Sequence, residues 1–210
     1  VSISFLYENE ARTAGFRFVI GVDEAGRGPL AGPVVACAVL LKNKKFLNRI
    51  DDSKKITPRQ REAAFHEIHQ NAYVGVGVVS EAVIDTINIV EATYHAMSMA
   101  VSRIIETFPS SQITRNNFHK KVLLLVDGNS FKTPLPYSYK TVVDGDSLSM
   151  SIACASIVAK VTRDRILDAY DQIFPQYGFK QHKGYGTEEH RDALRKFGPS
   201  LIHRKTYSWV

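Results

Sequence analysis

The run Lys121-Val122-Leu123-Leu124-Leu125-Val126 is uniformly aliphatic after its first residue. It is too short for a useful helix, and without alternation it cannot keep one face in water. It therefore reads as a strand covered on both faces. Such a strand needs a layer on each side, which selects an α/β or α+β layered domain.

The rest of the chain supplies those layers. Phe18 to Val22 and Pro33 to Leu41 are two further short apolar runs, separated by the turn residues Gly26, Gly28, Pro29 and Gly32. They predict a hairpin-like pair with a wide connection. Thr57-Pro58 offers a cap and a proline at the first helical position, opening a helix to about Asn71. Tyr73 to Ser80 alternates valine with glycine or valine and reads as a third strand. From Glu81 to Phe108, Val83, Ile87, Val90, Tyr94, Met97, Val101 and Ile104 fall at helical spacing, as one broken helix or two. Ser138 to Val143 predicts a fifth strand, Ser149 to Tyr170 a long helix and Glu188 to Phe197 a shorter one.

Composition narrows the class. The 210 residues suit a single domain, and 44% hydrophobic with 23% charged residues excludes a disordered chain, a collagen and a disulfide-stapled mini-protein. Apolar runs such as Pro33 to Leu41 are too short to cross a bilayer, and the stretch bearing Glu8 and Glu10 lacks a secretory apolar core. Cys37 and Cys154 lie among small apolar residues and read as buried, reduced thiols, which implies a cytoplasmic protein. The net charge of +6 is a mild lean toward a polyanionic partner.

Acidic residues interrupt the buried elements at telling places. Asp23 and Glu24 end the first strand, Asp127 ends the Lys121–Val126 strand, and Asp146 falls between the fifth strand and the long helix. Sites in layered α/β folds assemble at strand C-terminal ends, so separate segments can deliver carboxylates to one sheet edge. Singly, each acid suits an ordinary role: a turn for Asp127-Gly128, a helix cap for Asp146, a loop start for Asp23-Glu24. Clustered, they repel, and divalent cations relieve the repulsion; an all-oxygen set favours Mg2+ or Mn2+ over zinc. Asp164 sits well inside the long helix and is expected to pair with Arg163 or Arg165. Asp144 shares a strand face with Asp146 and is given a supporting role, while Asp51 and Asp52 read as turn residues.

Three segments could read a substrate. Gly26-Arg27-Gly28 lets backbone groups approach a ligand, with an arginine for phosphate. Ser149, Ser156, Lys160 and Arg163 recur at helical spacing among small residues, and the Lys160/Arg163 end is expected to meet a phosphate backbone. In His182-Lys183-Gly184-Tyr185-Gly186-Thr187 a tyrosine between glycines is hard to explain as core and reads as a ring presented for stacking. Asp52-Ser53-Lys54-Lys55 is a basic loop, and His203-Arg204-Lys205 adds positive charge near the end.

Together these segments resemble the ribonuclease HII family of the bacterial kind. The resemblance is carried by Val22 to Val35 (VDEAGRGPLAGPVV), Asp52-Ser53-Lys54-Lys55, Val126-Asp127-Gly128, Gly145-Asp146, Ala155 to Arg165 (ASIVAKVTRDR), His182 to Thr187 (HKGYGT) and His203-Arg204, in the family's order. It implies a ribonuclease H-like fold, with a mixed five-stranded sheet flanked by helices, in one domain over 1–210. About 170–210 form a C-terminal helical, substrate-contacting portion. It implies a monomeric endoribonuclease that cuts the RNA strand of RNA–DNA hybrids and cuts 5′ of single ribonucleotides in duplex DNA. The chemistry implied is a two-metal hydrolysis with Mn2+ or Mg2+, leaving a 5′-phosphate and a 3′-hydroxyl. Asp23, Glu24, Asp127 and Asp146 take the metal-site and catalytic positions, Gly26, Arg27 and Gly28 read the ribose 2′-hydroxyl, and Tyr185 senses the RNA–DNA junction. Lys54 matches a lysine near the phosphates. The chain departs from the family in having Asp144 before Gly145-Asp146. Arg27, and the lack of an additional N-terminal domain, argue against the type 3 relative. Type 3 specificity and a non-catalytic hybrid-binding module stand as alternatives.

Overall fold

A computed structural model describes residues 3–107 and 118–208. The chain runs α1 (Leu6–Thr13), β1 (Phe18–Ala25), β2 (Val34–Leu41), α2 (Pro58–Asn71), β3 (Ala72–Val79), α3 (Glu81–Ile87), α4 (Ile89–Thr107), β4 (Val122–Asp127), β5 (Ser138–Val142), α5 (Met150–Ile173), the short α6 (Phe179–His182) and α7 (Glu188–Phe197). The strands form one mixed sheet in the order β3-β2-β1-β4-β5. β1 pairs antiparallel with β2 and parallel with β4, and β4 runs parallel to β5. This is the ribonuclease H-like arrangement expected.

Strand alternation divides the core in two. On one face Ile20, Val22, Leu124 and Val126 pack against Ala96, Met97, Ala100 and Ile104 of α4. On the other, Val19, Leu123 and Leu125 pack with Ile152 of α5, and Cys37 and Val39 with α2 and the middle of α5. β4 is buried on both faces, as its unbroken aliphatic run requires. The two cysteines are buried and unpaired. Gly21 lets α5 lie directly on β1: a Cβ there would come 2.2 Å from the Ser151 carbonyl carbon.

Local signals account for most boundaries. Thr57 and Gln60 form a reciprocal capping box at the start of α2. The long helical stretch splits at Asn88, whose φ of 69° ends α3 before α4 begins; Phe108 lies outside the described residues. Helix α1 was not expected: Leu6–Thr13 is mostly polar and buries only Glu8 and Ala11.

The C-terminal portion has its own core, in which Tyr177, Phe179, Ala193, Leu194 and Ile202 pack with Leu30, Ala31 and Leu167. It is tied to the β1–β2 connection through backbone bonds from Leu30 to Gly184, Gly32 to Ile202 and Arg204 to Leu30. Among the described residues no helix is long and apolar enough to cross a membrane.

Candidate active site

Asp23 and Asp127 are adjacent because of strand register. Val22 pairs with Val126 across the parallel β1–β4 ladder, so the next residue of each strand stands at neighbouring C-terminal ends, one strand spacing apart. By alternation both carry on the α5 face, while Glu24 carries on the α4 face. Asp23 and Glu24 lie at the C-terminal end of β1, as expected. Asp146 follows β5 in a single 3-10 turn, Gly145–Ser147, whose amides grip Asp127: Gly145 N–H donates to Asp127 Oδ1 at 2.7 Å and Asp146 N–H at 3.4 Å.

These carboxyls are destabilised as anions. Burial first, then the charges of Glu24 and Asp127, push Asp23 well above the usual carboxylate range. Glu24 is raised by burial and by Asp127, against the pull of Arg27. Asp127 is raised by burial and by Asp146. Asp146 is raised by burial and by Asp52, against Lys54. Lys54 is held above its ordinary value; the cost of its burial is outweighed by Asp146, Asp52 and Asp23.

A pocket of about 340 Å3 opens over this edge, lined by Asp23, Glu24 and Asp127 with Gly26, Arg27, Gly28, Lys54 and Tyr185. Ser53, Ser156, Lys160 and Arg163 complete the wall. A larger cavity, about 570 Å3, lies elsewhere between α3, α4 and Lys132–Pro134 and holds none of the predicted site residues.

Each predicted residue has a definite place. Arg27 reaches Glu24 at 3.4 Å and is half-exposed. Lys54 Nζ lies 3.6 Å from Asp146 Oδ2, on a mostly exposed side chain. Tyr185 is 46% exposed on its turn, and its ring edge faces Gly28, where a Cβ would sit 3.8 Å away. The Asp52 turn is built as expected, with its carboxyl accepting from Lys54 N–H.

Several expectations are corrected. Arg163 is not offered to phosphate: it is 1% exposed and donates to the carbonyls of Pro33, Ala31 and Lys183. Arg204, expected to add surface charge, is fully buried and donates to the carbonyls of Gly26, Arg27 and Gly32. His203 is buried with it. The two guanidiniums clamp the glycine-rich loop, which at Gly26 has φ of 99° and no room for a Cβ beside Arg163. Asp164 pairs with Lys160 one helical turn back at 2.7 Å, and Arg165 with Glu62. Asp144 lies beyond β5 in a left-handed conformation and is exposed, so it shares no strand face with the buried Asp146.

The donor set suits a hard divalent cation: oxygen ligands only, desolvated, each raised by a neighbour's charge. Among the described residues no three Asp, Glu, His or Cys side chains converge closely enough to hold a metal ion. Three of the site acids have other partners: Glu24 pairs with Arg27, Asp127 accepts from the Gly145 amide and Asp146 pairs with Lys54. Four desolvated carboxyls, each raised by burial and a neighbouring acid, fit such an ion in their chemistry. Two residues beside the site have no site role in the sequence reading: Ser53, which lines the pocket and is hydrogen-bonded to Ser156 at 3.0 Å, and Asp52, which lies outside the pocket lining and acts on Asp146. Their signal was the acidic-serine pair beside Lys54, read there as a turn.

Comparison with known proteins bears on this geometry. The family model described as Ribonuclease HII matches residues 20–210. A ribonuclease HII of Geobacter sulfurreducens is 49% identical over 205 residues, covering 97% of this chain and 88% of that protein. Among solved structures, the ribonuclease H2 of Pyrococcus horikoshii superposes with a TM-score of 0.66 at 24% identity, over 91% of this chain and 94% of that one. Bst-RNase HIII in complex with Mn2+ gives 0.68 at 14% identity, over 95% and 70%. The two structural likenesses are nearly equal, so the fold alone does not separate type 2 from type 3.

Proposed function

The chain belongs to the ribonuclease HII family and is a metal-dependent ribonuclease H; from that premise we propose that it cuts the RNA strand of RNA–DNA hybrids and cuts 5′ of single ribonucleotides embedded in duplex DNA. The observation that carries this reading is the pairing of Asp23 with Asp127 at adjacent strand ends, in one pocket with Gly26 to Gly28 and Tyr185.

Asp23 and Asp127 would share the cations, with Glu24 and Asp146 completing the ligand sets. When bound, two Mg2+ or Mn2+ ions supply acidification of the attacking water and neutralisation of charge on the departing 3′-oxygen. The solved Mn2+ complex of the type 3 relative supports a divalent ion of this kind.

The protein's own groups do the selecting. The carbonyls of Gly26 and Arg27 are occupied by Arg204, and Tyr207 also donates to Arg27. The loop's N–H groups and the Gly28 carbonyl are left to meet a 2′-hydroxyl, the one feature that marks a ribonucleotide. The half-exposed Tyr185 ring would stack on the deoxyribose just 3′ of the cut and test for the junction. Exposed Lys54 and Arg27 would meet phosphates, so affinity falls as salt rises. We read the chain as one catalytic domain acting as a monomer, with about 170–210 contacting substrate. The two free thiols agree with work in the cytoplasm.

The test is a DNA duplex carrying one ribonucleotide, assayed with Mg2+ and Mn2+ side by side. Cleavage on its 5′ side is expected. Cleavage only within longer ribonucleotide runs would assign type 3 specificity, and binding without cleavage of either duplex would leave only a hybrid-binding module.

A further inference from the structure

Helix α1 lies ahead of the segment matched by the family model, yet it is tied to the candidate site. Glu8 is 4% exposed. Its Oε1 accepts three hydrogen bonds at the start of α5: from Ser149 Oγ at 2.6 Å, Ser151 N–H at 2.8 Å and Ser151 Oγ at 2.7 Å. A carboxyl from a distant element thus occupies a helix N-terminus that would otherwise bury an unpaired amide. Ser4 adds a second tie, donating to the Leu148 carbonyl and accepting from Met150 N–H.

The anchored segment leads straight to the acids. Ser149 N–H donates to the Gly145 carbonyl at 2.8 Å, and Gly145 N–H donates to Asp127 Oδ1 at 2.7 Å. Asp146 lies between those two points. From Glu8 to Asp127 there is an unbroken chain of short hydrogen bonds that leaves the Gly145–Ser149 turn little freedom.

We infer that Glu8 is a positioning residue: by capping α5 it fixes the Gly145–Ser149 turn, and so sets the orientation of Asp127 and Asp146 toward the cations. This rests on the reading of those two acids as metal-holding groups. A freed turn would let both carboxyls rotate and would weaken cation binding before it weakened substrate binding.

The test compares the full chain with Glu8→Ala, Glu8→Gln and Ser151→Ala. Calorimetry with Mn2+ alone is expected to show at least about tenfold weaker binding in Glu8→Ala. Glu8→Gln keeps an acceptor oxygen of the same reach and is expected to recover most of the loss. Hydrogen exchange at Ser147, Leu148 and Ser149 should quicken in Glu8→Ala, and kcat should fall with KM for hybrid unchanged. If Glu8→Ala does not fold, Ser151→Ala carries the test with a smaller shift in Mn2+ affinity. Wild-type Mn2+ affinity and wild-type exchange in the folded variants would overturn the inference. Failure of the wild-type chain to bind Mn2+ or cut hybrid would instead overturn the functional reading, leaving the exchange result to stand alone.

Discussion

His190 Nε2 lies 2.9 Å from His203 Nε2, and both rings are buried beneath the Tyr185 turn. Their other nitrogens settle the protons. His190 Nδ1 must donate to the Tyr185 carbonyl at 2.9 Å, and His203 Nδ1 accepts from Ser200 N–H at 2.8 Å. His203 therefore donates to His190, and both rings are neutral. Burial pushes each from 6.5 down to about 4, and for His203 the nearby His190 adds to the effect. In the unfolded chain the rings take up protons near pH 6.5, whereas in the folded protein they do so only near pH 4. Stability is therefore fully present above pH 6.5 and is lost as pH falls toward 4, by up to about 3 kcal/mol per ring. The raised site carboxyls slope the opposite way. The check is the difference in urea midpoint between wild type and a His190→Asn/His203→Gln variant, which should shrink as pH falls from 7 to 5.

Arg204 holds three carbonyls of the glycine-rich loop with one planar fork. A lysine has a single compact ammonium and cannot reach all three. Arg204→Lys should cost about 2–4 kcal/mol of stability, because buried carbonyls are left unpaired. It should also loosen the reading of the 2′-hydroxyl, so that the preference for a ribonucleotide over an all-DNA duplex narrows. Unaltered preference together with an unaltered denaturation midpoint would refute the clamp.

Gly21 is where β1 touches α5 backbone to backbone. Gly21→Ala forces the helix away by more than a rotamer change can absorb, and should cost about 2–4 kcal/mol. Because α5 also carries Ser156, which lines the pocket beside Asp23 and favours its anion, the loss should extend to cleavage in whatever fraction stays folded. Thermal melting and specific activity of the folded fraction measure the two effects separately.

What the sequence disclosed followed periodicity. An aliphatic run such as Leu123 to Val126 announces a covered strand, and strand ends then say where acids will gather. Arg163 was misread because charge in a sequence suggests surface. It stands four residues after Ala159 and four before Leu167, both buried, and that spacing was the available signal for its burial. Nothing comparable marked Arg204, whose partners are carbonyls distant in sequence. Helix α1 was hidden because its buried face consists of Glu8 and Ala11, too little for an apolar stripe. Asp144 was placed by extending strand alternation past Val142, where β5 ends, although Asp144, two residues on, is already in a left-handed turn.

Asp127→Asn separates chemistry from structure. Asparagine keeps the oxygen that accepts the Gly145 amide at 2.7 Å, so the turn bearing Asp146 should stay in place. It removes a charge that burial and Asp146 already destabilise, so the variant should melt no lower than wild type. Cleavage should fall by at least about 100-fold, since a neutral amide cannot hold a cation as a carboxylate does. Binding to an RNA–DNA hybrid, followed by fluorescence anisotropy, should change by less than about threefold, because phosphate contacts by Lys54 and Arg27 carry it. Cleavage at the wild-type rate would remove Asp127 from the site. Lost binding together with lost cleavage would mean that this acid holds the pocket together rather than serving the reaction.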